Sequence, residues 1–254
     1  MGYNGLRKHQ KVEDDRFYYW CDRLGLLVWC EMPSAYEYND DMVTKVCSQW
    51  TEIVRQHYNH PSIITWTPLN ESWGIPAVKV DPMQQHLSQT MYHLTHSLDN
   101  TRPVISNDGW EHTVSDVVTL HDYDGNGDSI RKRYEKYMED YLGNRASFDD
   151  YKTLYAGNCH YDGQPILISE YGGIAMENDG TGWGYGEKAE GEEAFLQRFL
   201  STQKAILSIP GCQGFCYTQL TDVQQEVNGL LHEDRTPKVS LDKIRAINDL
   251  MPEI

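Results

Sequence analysis

The sequence predicts an α/β fold in which a parallel sheet closes toward an eight-stranded barrel, and three observations carry that prediction. Short β-branched or apolar runs alternate with longer amphipathic segments, the rhythm of repeated βαβ units. Several of those runs stop at a polar group rather than at a hairpin turn. No linker, repeat or low-complexity stretch divides the 254 residues, which are expected to form a single domain over 1–254.

Tyr3–Arg7 reads as a brief first strand. The spacing of Phe17, Trp20, Cys21 and Leu24 predicts a helix over Asp14–Leu24. Leu26–Cys30 is a strand that stops at Glu31. Val43, Val46, Trp50, Ile53 and Val54 fall on one face of a helix over Asp40–His57. The strand Ile63–Trp66 follows, then a helix near Pro82–Leu98 that ends in Asp99-Asn100. Val104–Ser106 and Val117–Leu120 are the next strands. Asp124–Asp162 is charged and Tyr-rich and reads as a helix with a long loop insertion. Ile166–Ile168, a helix over Gly191–Ser208, the strand Gly214–Thr218 and an amphipathic helix over Leu241–Leu250 complete the chain. Seven strands result, one short of an eight-stranded barrel.

A formal net charge of −16 argues against nucleic acid as a partner, because a phosphate-binding face needs clustered Lys and Arg. No stretch approaches the roughly 18 apolar residues of a membrane span. Met1–Lys8 lacks an apolar core of the signal-peptide type, so a cytoplasmic location is expected. The six cysteines show no C-x-x-C pair and read as buried thiols. Seven Trp and seventeen Tyr are a surplus of aromatic rings, which serve as core or, in part, suit the flat C–H faces of sugar rings.

Polar residues gather just beyond the strands: Arg7 and His9, Glu31, Asn70 and Glu71, Asn107 and Asp108, His121, Glu170, then Gln219 and Asp222. In barrel enzymes this end collects catalytic groups, because the loops vary there while the sheet stays rigid. Glu71 follows the run Ile63-Ile64-Thr65-Trp66-Thr67-Pro68-Leu69-Asn70, and Glu170 follows Ile166-Leu167-Ile168-Ser169. Two glutamates at strand ends are the minimum equipment for retaining glycoside hydrolysis.

Six segments in this order carry a resemblance: Gly5–Lys11, Tyr19–Trp29, Asn59-His60-Pro61-Ser62-Ile63, Trp66–Ser72, Ser169-Glu170-Tyr171-Gly172 and Tyr217–Asp222. Together they resemble the catalytic barrel of glycoside hydrolase family 2, which includes β-galactosidases, β-glucuronidases and β-mannosidases. The resemblance implies a (β/α)8 TIM barrel missing its first strand and helix. It also implies a carbohydrate substrate with no cofactor and no metal. Glu71 would be the general acid/base, Glu170 the nucleophile, and Asn70 the hydrogen-bond donor to the sugar 2-hydroxyl. Arg7 and His9 match a strand end whose Arg commonly holds the nucleophile's carboxylate. His121 and Tyr123 match a region that supplies substrate contacts and a Tyr near the nucleophile. Asp108 and Trp110 would line the sugar subsite, Trp66 would join them or be a barrel-layer residue, and Trp183 would sit in a Gly-rich loop (Trp183-Gly-Tyr185) that forms a lid or plain surface.

A β-galactosidase-like specificity is expected, since no Asn-x-Lys of the kind that holds a glucuronide carboxylate occurs. β-Glucuronidase and β-mannosidase specificity remain open. Relatives place jelly-roll and immunoglobulin-like domains before the barrel, so a partner is expected for the open flank: those N-terminal domains or a second copy of the chain. Two other readings compete. One is a metal-dependent barrel with Glu31, Asp108 and Glu170 around Mg²⁺. The other is a catalytically silent fragment.

Overall fold

The computed structural model describes residues 1–148, 151–177 and 181–250. Strands and helices alternate as the sequence pattern predicts: β1 (Gly5–Lys8), α1 (Asp15–Leu24), β2 (Leu27–Glu31), α2 (Asp40–His57), β3 (Ile63–Thr67), α3 (Pro82–Leu98), β4 (Val118–Asp122), α4 (Gly127–Leu142), β5 (Ile166–Gly172), α5 (Gly191–Leu207), β6 (Cys212–Thr218) and α6 (Leu241–Asn248). Residues 149 and 150 of the expected insertion after α4 lie outside the described residues. Among the described residues, no helix is long and apolar enough to cross a membrane.

The chain folds as two compact units. One comprises Asn4–Leu120 with Glu139–Ile166. Its sheet has the order β1-β2-β3, with both pairs parallel and Leu6 beside Val28 and Cys30 beside Trp66. Its helices are started by side chains that accept orphan backbone N–H groups. Asp14 accepts from Arg16, Asn39 from Met42, and Asp81 from Met83, with Pro82 in the first turn. Gly25 ends α1 at φ 70°, a left-handed cap that a side chain would strain. The core packs Val28, Cys30, Ile63 and Trp66 against Val46, Trp50 and Val54 of α2 and Leu87 and Met91 of α3.

Two expectations change here. The apolar face expected of α1 holds in part: Cys21 is buried and Phe17 packs against the core, but Tyr18 is buried with them while Trp20 is 59 % exposed and Leu24 76 % exposed. Tyr18 wins the interior because its ring packs on His57 and His60 and its hydroxyl meets the Glu13 N–H and Cys30 Sγ. The seventh strand, Val104–Ser106, shrinks to a single parallel bridge between Val104 and Trp66. Around that bridge the Trp66 N–H donates to Pro103 O at 3.2 Å and the Ile105 N–H to Trp66 O at 2.9 Å, while the Val104 N–H, on the opposite edge, is taken by the Asp116 carboxylate at 2.8 Å instead of by a neighbouring strand. Six strands remain among the described residues.

The other unit comprises Met1–Tyr3, His121–Met138 and Leu167–Ile254. The second sheet has the order β4-β5-β6. Phe195 and Phe199 of α5 are fully buried, and Phe199 meets Tyr217 of β6 edge-on at 5.1 Å. All six cysteines are thiols, but only Cys21 and Cys30 are buried; the other four are half-buried.

Candidate functional site

At the carboxyl end of β1, Arg7 is the hub of a buried ionic cluster. Its guanidinium lies 2.8 Å from Glu31 Oε2 and 2.7 Å from Asp108 Oδ2, and Nη2 donates to Asn70 Oδ1 at 2.7 Å. Glu31, Asn70 and Asp108 are fully buried. Two buried carboxylates are tolerable only beside a partner that returns most of their lost solvation. A planar guanidinium reaches both and the amide oxygen at once, which a lysine could not. The same contacts stand against the competing Mg²⁺ reading, because the carboxylates of Glu31 and Asp108 converge on the charge of Arg7. With Oδ1 of Asn70 committed to Arg7, its Nδ2 is a buried donor with no hydrogen-bond partner among the described residues. His9 stands at the rim, half exposed, with Nδ1 3.2 Å from Glu31 Oε1.

Pro68 stops β3, and the chain then bonds to the segment after Val104. Asn70 and Asp108 form a parallel bridge in which the Glu71 N–H donates to Asp108 O and the Asp108 N–H to Leu69 O, each at 2.9 Å. Glu71 and Ser72 follow at φ 50° and 60°, two successive residues in a region that costs side-chain-bearing residues of order 1–3 kcal/mol each. Ser72 holds the turn in place. Its N–H donates to Asn107 Oδ1 at 3.0 Å and its hydroxyl to Glu111 Oε2 at 2.6 Å. Lys152 Nζ lies 3.5 Å from that glutamate and 5.0 Å from the Trp110 ring centroid. Glu71 itself is half-buried, its backbone fixed by these neighbours.

Within the other unit the Tyr123 hydroxyl donates a short hydrogen bond to Glu170 Oε2, and His121 Nδ1 lies 3.4 Å from the same oxygen. The Tyr123 oxygen is also 3.2 Å from Thr218 Oγ1. Burial, then the neighbouring Glu170 charge, pushes the Tyr123 hydroxyl well above its ordinary range, so it remains a donor at neutral pH. Tyr185 stacks on Tyr123 with ring centroids 3.5 Å apart and 6° between planes. Trp183 is half-exposed and meets Tyr185 edge-on at 5.6 Å. The Trp183 backbone is tied at both N–H and C=O, to Gln225 and Val227, which anchors the Gly-rich loop. At the exit of β5, Gly172 has φ 88°, and a Cβ there would lie 2.2 Å from the Tyr217 ring.

The structure therefore gathers Arg7, His9, Asn70, Glu71 and Asp108 in one unit, and His121, Tyr123, Glu170 and Trp183 in the other. Trp66 leaves the sugar-facing set. It is fully buried, donates its indole N–H to Asp99 at 2.9 Å and packs edge-on to Trp50. Asp222 is bound by Lys238 at 2.8 Å and the Gly229 N–H at 2.9 Å, a structural pairing. Three residues of these networks escaped the sequence reading. Glu111 lies in a segment without periodicity, Thr218 looks like any strand terminus, and Tyr185 was signalled only by the Gly-rich Trp183-Gly-Tyr185 pattern.

The family model described as glycosyl hydrolases family 2, TIM barrel domain, matches residues 1–251. A putative β-glucuronidase of Formosa agariphila is 31 % identical over 209 residues, covering 78 % of this chain and 23 % of that protein. A β-galactosidase of Thermoanaerobacterium thermosulfurigenes is 30 % identical over 141 residues, covering 52 % and 18 %. The crystal structure of a β-galacturonidase from Eisenbergiella tayi bound to galacturonate shares the fold, with a TM-score of 0.75 and 22 % identity over 97 % of this chain and 45 % of that one. The chain thus spans about a quarter of the first of these proteins and under half of the third.

Proposed function

Because the chain belongs to glycoside hydrolase family 2, we propose that it forms the catalytic part of a retaining β-glycosidase that removes a terminal β-linked sugar, with β-galactosides as the favoured class. The observation that supports this most is the setting of Glu170, a buried carboxylate at a strand end that receives the Tyr123 hydroxyl proton as a hydrogen bond and has His121 beside it.

In this reading Glu170 attacks the anomeric carbon while Glu71 gives its proton to the departing oxygen, which leaves as an alcohol. Water then attacks the anomeric carbon of the glycosyl-enzyme. Glu71 takes that water's proton and Glu170 is released as a carboxylate. The Tyr123 bond orients Glu170 between turnovers. Arg7 sets the amide of Asn70 so that Nδ2 points away from the ion cluster, where it can donate to a sugar 2-hydroxyl. That bond strengthens as positive charge grows on the ring.

A second reading, a β-uronide substrate, draws on the names of the Formosa and Eisenbergiella proteins; the lack of an Asn-x-Lys stands against it. Hydrolysis of a p-nitrophenyl panel (β-galactoside, β-mannoside, β-glucuronide, β-galacturonide) separates the two. The highest kcat/KM is expected on the galactoside, and a uronide in that place selects the second reading. Glu170→Ala should abolish turnover, and azide should restore it by attacking the anomeric carbon, expelling p-nitrophenolate and leaving an α-glycosyl azide. A variant that azide fails to rescue removes Glu170 from the nucleophile's role. Turnover of none of the substrates by folded wild-type chain selects the catalytically silent reading.

A further inference from the structure

Away from these strand ends, the helical layer of the first unit holds a cluster that glycoside hydrolysis leaves unused. A carboxylate oxygen of Asp15, a ring nitrogen of His57 and a ring nitrogen of His60 all lie within 4.8 Å of one another. From this geometry we propose that Asp15, His57 and His60 form a zinc-binding site.

Local structure explains how the residues meet. His57 is the last residue of α2, and the chain turns back at once, the His60 N–H donating to His57 O at 3.0 Å. That turn puts the two rings on one side, with centroids 6.0 Å apart. Asp15 opens α1, in the turn capped by Asp14.

Each residue is prepared as a ligand. His57 is 2 % exposed, and its Nδ1 has no hydrogen-bond partner among the described residues, although Asp15 Oδ1 stands only 3.2 Å away. Two atoms each bound to one tetrahedral zinc at about 2.0–2.1 Å lie about 3.3 Å apart, so this separation is that of two ligands of one ion. His60 gives Nδ1 to Asp22 Oδ2 at 2.7 Å, so Nε2 is the nitrogen left to bind. A carboxylate behind a ligating histidine is the usual outer support of a zinc site, fixing ring and tautomer. Gln56 Nε2 holds the same Asp15 oxygen at 3.1 Å. The Tyr18 ring, 4.7 Å from the His57 ring and 5.3 Å from that of His60, walls the inner side. Three protein ligands, one of them exposed, leave a fourth position for water. The affinity should be that of a regulatory or stabilising site rather than of a closed four-ligand centre.

The test is titration of chelator-treated protein with Zn²⁺ alone, by calorimetry and by melting temperature. One equivalent should bind and raise the melting temperature. Asp15→Asn, at an exposed position, should weaken binding by at least about tenfold, and Asp22→Asn by roughly 10–100-fold. His57→Ala should abolish binding; should that buried change unfold the chain, the two aspartate variants carry the result. Co²⁺ in place of zinc should give the strong visible bands of a four-coordinate nitrogen–oxygen site without a thiolate charge-transfer band, which separates it from the six cysteines. Failure to bind one equivalent, binding that survives both Asp15→Asn and Asp22→Asn unchanged, or a cobalt–thiolate band would each overturn the proposal.

Discussion

Arg7 shows how much a single side chain can decide. Its contacts with Glu31, Asp108 and Asn70 neutralise the two carboxylates and fix which end of the Asn70 amide stays open. A buried amide N–H without a partner is costly unless something completes it, by about 1–3 kcal/mol. In the proposed mechanism the sugar 2-hydroxyl does so. Asn70→Ala should therefore lower kcat/KM on a β-galactoside by roughly 10²-fold, from the loss of an interaction that grows in the transition state. A 2-deoxy substrate should cost the wild-type enzyme a similar factor and cost Asn70→Ala almost nothing more. That non-additivity, measured as a double-mutant cycle, separates contact with the hydroxyl from general damage to the turn. Equal 2-deoxy penalties in both proteins would assign the hydroxyl to another residue. Asn70 and Glu71 were legible from the chain itself. The isolation of Nδ2 was not, because it depends on an arginine 63 residues earlier.

Elements were legible where a pattern was long. α2 carries five apolar positions in helical register, and α3 opens on Asp-Pro and closes on Asp-Asn, so their ends match the expected ones closely. The short α1 misled: with 10 residues, the choice between its Tyr18 and Trp20 faces rests on a few contacts that only packing supplies. Val104–Ser106 falls short of a strand for a similar reason, since the carboxylate of Asp116 claims the amide on the edge that faces away from β3. The end of α3 also stores acid-sensitive stability. Burial works against a charged Asp99, yet hydrogen bonds from Thr101, the Trp66 indole and Arg102 outweigh it and hold the carboxyl at about 2, below its ordinary 3.8. A carboxyl lowered by folding stabilises at all pH values above its unfolded value, and that contribution fades as the pH falls from about 4 to about 2. Asp99→Asn should therefore cost about 2 kcal/mol at pH 7, measured by urea unfolding, and the gap to wild type should narrow steadily below pH 4.

For the molecule as a whole, the dominant physical property is charge. With 38 acidic and 22 basic side chains the protein repels copies of itself at neutral pH, and that repulsion vanishes near its isoelectric point of about 4.9. Turbidity at low ionic strength should peak within half a unit or so of that pH and fall on either side. A flat profile would show that association is governed by apolar surface instead. The amino-acid sequence alone determined the alternation of strands and helices, the family, and the two glutamates at strand ends. These follow from local periodicity and from short contiguous motifs, which need no knowledge of distant residues. The partners of those glutamates were decided only by tertiary structure. Tyr123 against Glu170, Arg7 across three strand ends, Glu111 behind Ser72 and the Asp15–His57–His60 cluster all join residues far apart in the chain. The physical reason is that burial sets the worth of a hydrogen bond or a charge, and burial is a property of the packed chain rather than of any segment of it.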